Sequence, residues 1–489
     1  MLNLTTADLK KTAISTLIVP VCEDMEIHEK SIIKTLIREA KKLKEFKGKT
    51  NDEIILYNMP SVKPERIFFT GIGKIEKLKP DVFRSLAGRI VKACATKGLS
   101  EILFVLPSAK RLKIETESVV EAFLEGAYLG NHLFDRYKKD KKVKPLKRIS
   151  FMVPPDVKQK FNHLPKRVET ICQGTILARE WVSMPPNDKT PELFSKRIVS
   201  MAKKEKLKVT VLNEKEMKRM KFGSLLAVSA GSVNKPCMVV MEYNPVKSTK
   251  EIVFVGKGVT FDSGGINLKS ADGLDSMKMD MAGAAAAAAS LITVAKLKPR
   301  VKVTGVIPLV ENMPSGSAAR PGDIVKSYSG KTVEIGNTDA EGRLILIDAL
   351  SYIIKKNKPD IVIDMATLTG ACVVALGEKI AGVFSPDDEL SSAIIKSGEK
   401  TDERCWRLPL PEDYKELIKS DFADIKNIAS SRYGGAITAA LFLAEFRKKT
   451  KWAHIDIAGP AYAKKGNAYC GPGGTGFGVR LFCDLLDKI

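Results

Sequence analysis

Residues 251–283 read EIVFVGKGVTFDSGGINLKSADGLDSMKMDMAG, and the order of residue types in this stretch decides the fold class. After Glu251, IVFV is an unbroken run of β-branched and aromatic residues, the pattern of a strand covered on both faces. Gly256 and Gly258 turn the chain after it, Gly264 and Gly265 bend it again, and an apolar helix follows that includes six successive alanines at 284–289. Side chains that small let a helix lie close against a sheet. Working outward, KVTVLN, CMVVMEYN, VKVTGVIPLV and DIVIDMATL repeat the apolar strand pattern between helix-like segments. We expect each of these strands to be buried on both faces of a large C-terminal α/β/α domain with a central mixed sheet.

Towards the N-terminus the runs are shorter: TAISTLIVPV, IIKTLIREAKKL, RIFFTGIG, DVFRSLAGRIVKAC, EILFVLP and SVVEAFLEGAYLGNHLF. Their alternation predicts a small N-terminal α/β domain with a mainly parallel sheet, whose first strand is the apolar run near the start of the chain. KRVETICQGTILAREWVS reads as a helix stopped by Pro185 and Pro186, and Thr190-Pro191-Glu192 as the start of the next. A chain of 489 residues exceeds what one core usually organises. The expected division is 1–165 for the first domain, 166–184 for a connecting helix and 185–489 for the larger domain.

Several chemistries are excluded. The apolar stretch 282–295 is too short to cross a bilayer, and no small-residue cleavage site follows the first apolar run, so a cytoplasmic chain without a membrane span is expected. The eight Cys are never closer than thirteen apart, which removes C-x-x-C sites and leaves buried thiols. Four His (28, 132, 163 and 454) without helical pairing exclude an H-E-x-x-H zinc site. No Walker-type phosphate loop or G-x-S-x-G elbow occurs, and Phe261-Asp262-Ser263-Gly264-Gly265 matches only part of a serine-protease signature. The net charge is +23, of which residues 1–170 carry +13, from 34 Lys+Arg against 21 Asp+Glu. Solvated faces account for such runs, although weak, sequence-independent contact with DNA stays open.

What remains is a set of acids and lysines. Segment 255–283 presents Lys257, Asp262, Lys269 and Asp280; segment 335–350, IGNTDAEGRLILIDAL, presents Asp339 and Glu341 before an apolar helix. Helix capping alone accounts for acids in a first turn. Acids at i and i+2 of an extended loop, however, point the same way. Together Asp262, Asp280, Asp339 and Glu341 carry a formal charge of minus four. Two divalent cations would neutralise it, as in hydrolases that hold such ions roughly 3.5 to 4 Å apart. Without metals the cluster is expected to repel itself.

Asn337-Thr338-Asp339-Ala340-Glu341-Gly342-Arg343-Leu344 resembles the signature octapeptide of the leucyl aminopeptidase (cytosol aminopeptidase) family. Gly256-Lys257, Thr260-Phe261-Asp262-Ser263-Gly264-Gly265, Lys269 and Met279-Asp280-Met281 are similar to that family's metal-binding segment. Further similarity lies in Pro185-Pro186-Asn187-Asp188, in Thr367-Leu368-Thr369-Gly370-Ala371, in Gly434-Gly435-Ala436 and in the stretch WAHIDIAG at 452–459. The resemblance covers about 180–489; the first third shows only a compatible α/β pattern.

This resemblance implies a dinuclear metallo-aminopeptidase with 185–489 as its catalytic domain. It implies two divalent ions per subunit, zinc or manganese, with Asp262 and Glu341 bridging them, Asp339 on one, and Lys257 and Asp280 on the other. Lys269 and Arg343 would be the catalytic pair, Lys269 stabilising the oxyanion and Arg343 holding a bicarbonate that relays protons from a metal-bridging water. Met277, Thr367, Leu368, Gly370 and Ala458 would surround the substrate side chain. The implied substrates are peptides with a free N-terminus, apolar residues such as leucine favoured, and the implied assembly is a homohexamer. Some members of the family also bind DNA.

Overall fold

The computed structural model describes residues 2–12, 14–248 and 250–489. The chain divides into two compact units, Met1–Cys172 with Gly466–Gly471, and Gln173–Lys465 with Pro472–Ile489.

The first unit is built on six strands in the order Leu2–Thr5, Arg148–Met152, Glu101–Val105, Thr16–Cys22, Arg66–Gly73 and Glu53–Tyr57. All neighbours run parallel except the last pair. The N-terminal run is therefore two strands rather than one, because the polar stretch at 6–12 interrupts it and Leu2–Thr5 pairs at the far edge with Arg148–Met152. EIILY and RISFM are also strands that the alternation did not separate; the first is a half-exposed edge strand and both are only five residues long. Phe104 and Phe151 of the sheet stack face to face and meet Phe123 of the helix Thr116–Gly130.

The second unit holds a nine-stranded mixed sheet. Its order is Cys405–Arg407, Ala381–Phe384, Lys451–Asp456, Ile361–Ala366, Glu251–Gly256, Lys302–Asn312, Cys237–Tyr243 and Lys208–Asn213, and Gly258–Asp262 pairs further along Lys302–Asn312. The four strands from Lys451–Asp456 to Lys302–Asn312 are parallel, and antiparallel neighbours flank them. KVTVLN departs from expectation: it is the edge strand of this sheet, with Val211 38% exposed, because among the described residues it pairs with Cys237–Tyr243 alone. Val253 and Val255 join a core cluster with the helix Glu341–Asn357, while Phe254 between them stacks on Phe482 of the helix Val479–Leu486. Alternation along the strand therefore puts helices on both faces.

The alanine-rich helix Ala282–Leu297 begins in backbone contact with this sheet. A Cβ on Gly283 would lie 2.0 Å from the Met365 carbonyl oxygen, and one on Gly256 would lie 2.3 Å from Gly283 O. The helical stretch Leu274–Leu297 is apolar and long enough to cross a bilayer, but 83% of its most apolar window is buried inside the fold. All eight cysteines are buried.

Candidate active site and metal centre

Lys257 stands between the strands Glu251–Gly256 and Gly258–Asp262, one residue removed from regular pairing. Its N–H donates to Met365 O (3.0 Å) and its carbonyl accepts from Ala284 N (2.8 Å), so strand and helix backbones both fix it. Asp262 closes the second of these strands, Asp280 lies two residues before Ala282–Leu297, and Glu341 is the first residue of Glu341–Asn357. The strand leading to the Glu341 segment, Thr332–Glu334, belongs to a separate three-stranded sheet with Ile324–Lys326 and Ile425–Lys426. Only the tertiary fold brings the two segments together.

Asp262, Asp280 and Glu341 are buried, and one oxygen of each lies within 4.8 Å of the others. Lys257 Nζ sits 2.8 Å from Asp280 Oδ1 and 2.8 Å from Glu341 Oε1, and donates to Thr367 O at 2.8 Å. Lys269 Nζ lies 2.9 Å from Asp262 Oδ2 and also pairs with Asp339 Oδ1. Asp339 and Glu341 thus meet different lysines instead of pointing the same way. The reason is local: the chain between them is not extended, Ala340 having ψ 43°, and Glu341 already belongs to the helix.

Burial pushes the Asp262 and Asp280 carboxyls above their ordinary range, and burial with the nearby Asp262 charge does the same to Asp339. For Lys257, burial opposes the charge, but Asp280, Glu341 and Asp262 outweigh it and hold the ammonium above its usual pKa. Lys269 is shifted the same way, by Asp262, Glu341 and Asp339 against burial. The cluster therefore does not simply repel itself without metal: two ammonium groups supply half the countercharge. Asp280 Oδ2 and Glu341 Oε2 nevertheless remain buried with no hydrogen-bond partner among the described residues. Buried, unpartnered hard oxygens beside a displaceable ammonium fit a divalent cation.

Three asparagines that the sequence reading did not single out hold this arrangement. Asn312 Nδ2 donates to Asp262 Oδ1 (2.8 Å) and Thr338 O (3.0 Å), tying the two acidic segments together. Asn267 and Thr338 brace them again: Asn267 N–H donates to Thr338 Oγ1 (2.9 Å) and Thr338 N–H to Asn267 Oδ1 (2.8 Å). Asn427 accepts from Gly336 N and donates to Asn337 O, while its own carbonyl accepts from Arg343 at 2.7 Å. No local signal marks these residues, because each acts across more than 25 positions of sequence.

Residues 176–483 match the catalytic domain of the cytosol aminopeptidase family, and residues 19–141 match its N-terminal domain. The chain belongs to the cytosol aminopeptidase family. A probable cytosol aminopeptidase of Geobacter sp. (strain M21) is 43% identical over 448 residues, 91% of this chain and 90% of that protein. A tomato leucine aminopeptidase mutant superposes with TM-score 0.88 at 30% identity, covering 100% of this chain and 96% of its own. The bottromycin maturation enzyme BotP in complex with Mn does so with TM-score 0.86 at 31% identity, covering 97% and 99%. The protein is an aminopeptidase.

In this aminopeptidase the residues expected around the substrate side chain fall into two groups. Thr367 and Leu368 lie on the segment between the strand Ile361–Ala366 and the helix Gly370–Leu376, which Gly370 opens, and Ala458 follows the neighbouring strand Lys451–Asp456. Leu368 and Ala458 both donate their N–H to Asp456 Oδ1. Met277 lies apart from them in sequence, half-buried on the 3-10 turn Leu274–Met279 that leads to Asp280. A Cβ on Gly370 would meet nothing within 4 Å. Arg343 is buried, its pKa lowered to about 10 by burial against the pull of Glu341 and Asp456, and its Nε has no hydrogen-bond partner among the described residues. Ser263 donates its hydroxyl to Asn312 O, a structural bond rather than the posture of a nucleophile.

Proposed function

We propose that this aminopeptidase is a two-metal enzyme that removes N-terminal residues, leucine and other apolar ones favoured, from peptides with a free α-amine. The observation that carries the reading is the buried trio Asp262, Asp280 and Glu341, with two orphaned oxygens and Lys257 between them. Lys257, Asp262, Asp280, Asp339 and Glu341 would hold two divalent ions, zinc or manganese; the manganese complex of BotP supports this choice. When bound, such cations acidify water and polarise the scissile carbonyl. Lys257 ligates only as a neutral amine, so it gives up the proton that its carboxylate neighbours otherwise retain.

Lys269 keeps its proton and offers a fixed positive charge at the mouth of the site, where an oxyanion develops during attack. Arg343, buried and with a spare N–H, suits a small planar anion such as bicarbonate, which would relay protons. Met277, Thr367, Leu368, Gly370 and Ala458 would form the wall of the side-chain pocket, the open space beside Gly370 admitting a branched apolar group. The similarity to the tomato leucine aminopeptidase supports this preference. A homohexamer in the cytoplasm, the division at 165 and 184, and weak, salt-sensitive DNA contact through the basic first third complete the reading.

The test is hydrolysis of leucine amide and N-acetyl-leucine amide before and after chelation, with metal content measured on the same samples. Cleavage of the free amide alone, lost on chelation and restored by manganese or zinc, is expected. Undiminished cleavage after verified metal removal would overturn the two-metal reading.

A further inference from the structure

We propose that Asp456 is a positioning residue for side-chain selectivity: it locks the loop 367–370 in register with the metal-ligand residues by accepting hydrogen bonds, not by its charge. The inference rests on the reading that this loop lines the substrate pocket. Asp456 ends the strand Lys451–Asp456 and has no exposed surface. Arg343 and His454 act on this carboxylate only through space, and among the described residues none forms a salt bridge with it; such a buried carboxylate is costly, and a hydrophobic residue would fill the space without that cost. The position therefore has to supply something that an apolar side chain cannot.

What it supplies is three accepted hydrogen bonds. Oδ1 takes the N–H groups of Leu368 and Ala458, each at 3.1 Å, and Oδ2 takes the hydroxyl of Thr369 at 2.7 Å. Thr369 Oγ1 in turn accepts from Cys372 N at 3.0 Å and caps the helix Gly370–Leu376. The preceding residue belongs to the metal side: Thr367 O accepts from Lys257 Nζ and Thr367 Oγ1 donates to Asp280 Oδ1 at 2.7 Å. Along three consecutive residues the loop passes from the ligand cluster to Asp456. Through Ala458 the same carboxylate also fixes the segment that follows the neighbouring strand.

The geometry distinguishes position from charge. Both backbone N–H groups share one oxygen, and the other partner is a hydroxyl, which can accept as well as donate. An asparagine with its oxygen at Oδ1 and its amide nitrogen at Oδ2 would keep every bond, with Thr369 accepting. Alanine would keep none.

The experiment compares wild type with Asp456→Ala, Asp456→Asn and Thr369→Val, each checked for folding and metal content, using leucine and alanine amides. Asp456→Ala is expected to bind metal as wild type does and to lose about 10-fold of its leucine-over-alanine preference, mostly through KM, the size of effect one methylene-scale misfit produces. Asp456→Asn should recover that preference to within about threefold, because the accepted N–H bonds survive. Thr369→Val should fall between the two. Equal losses on both substrates, unchanged selectivity in Asp456→Ala, or an asparagine variant as impaired as alanine would each overturn the proposal. If Asp456→Ala does not fold, a folded Thr369→Val with wild-type selectivity overturns it alone. Wild-type protein inactive on both amides would defeat the underlying activity first, and is seen before any variant is made.

Discussion

A Cβ atom on Gly342 would lie 2.5 Å from Cε of Lys257 and 2.7 Å from its Nζ. The second residue of the helix Glu341–Asn357 is thus the floor on which the candidate ligand lysine rests. Lys257 has no room to retreat, because its backbone is bonded to Met365 and Ala284 and its amine to three oxygens. Gly342→Ala should therefore shift the amine and cost roughly 100-fold in turnover, the usual effect of a misplacement near 1 Å. Alanine is the better helix former, but the overlap with Lys257 costs stability, so folding is measured alongside turnover. Full activity in this variant would show that Lys257 does not need its present position.

Ligands and catalyst should separate by metal analysis. Asp339→Ala and Glu341→Ala each delete a candidate ligand oxygen and are expected to lose metal together with activity. Lys269→Ala should keep its metal and lose on the order of 100-fold or more in kcat, the cost of one oxyanion-stabilising group. A metal-free Lys269→Ala would mean that the roles of Lys257 and Lys269 are exchanged.

At the proposed pocket, the open space around Gly370 means that a larger side chain there is accommodated by the fold. Gly370→Leu, or Met277→Trp on the turn Leu274–Met279, should shift selectivity from leucine towards alanine substrates by about 1 to 3 kcal/mol. Parallel losses on both substrates would place these residues outside the pocket.

Asp348 provides a test by pH. It is fully buried in the helix that Glu341 begins, accepting from Leu225 N at Oδ2 (2.9 Å) and Tyr328 N at Oδ1 (2.7 Å). Burial outweighs these N–H groups and raises its pKa from 3.8 to about 7. Between about pH 4 and 7 the native state therefore holds a proton that the unfolded chain has released, so stability falls as pH rises through that window and levels off above it. Asp348→Asn removes this dependence while leaving one N–H without an acceptor, at about 1 to 3 kcal/mol. Urea unfolding of chelated samples should show the wild type's advantage shrinking from pH 5 to pH 8. A constant gap would return Asp348 to an ordinary carboxylate.

The sequence alone settled what is chemical and local. EIVFV and DIVIDMATL announced buried strands by composition, because a strand covered on both faces is mostly apolar; Asp364 is the exception, its carboxylate accepting from Trp452 Nε1 and bonded to His454 Nδ1. The run at 284–289 announced a helix in close contact with a sheet, and the octapeptide at 337–344 the family, since an unbroken match in acids and glycines is hard to produce otherwise. Tertiary structure decided what depends on distance. That KVTVLN is an edge, that Asp339 and Glu341 turn to different lysines, and that Asn312, Asn427 and Asp456 hold the loops could not be read from spacing. A hydrogen bond between residues 50 or 88 positions apart leaves no periodicity in the chain, because its energy depends on where the fold places donor and acceptor.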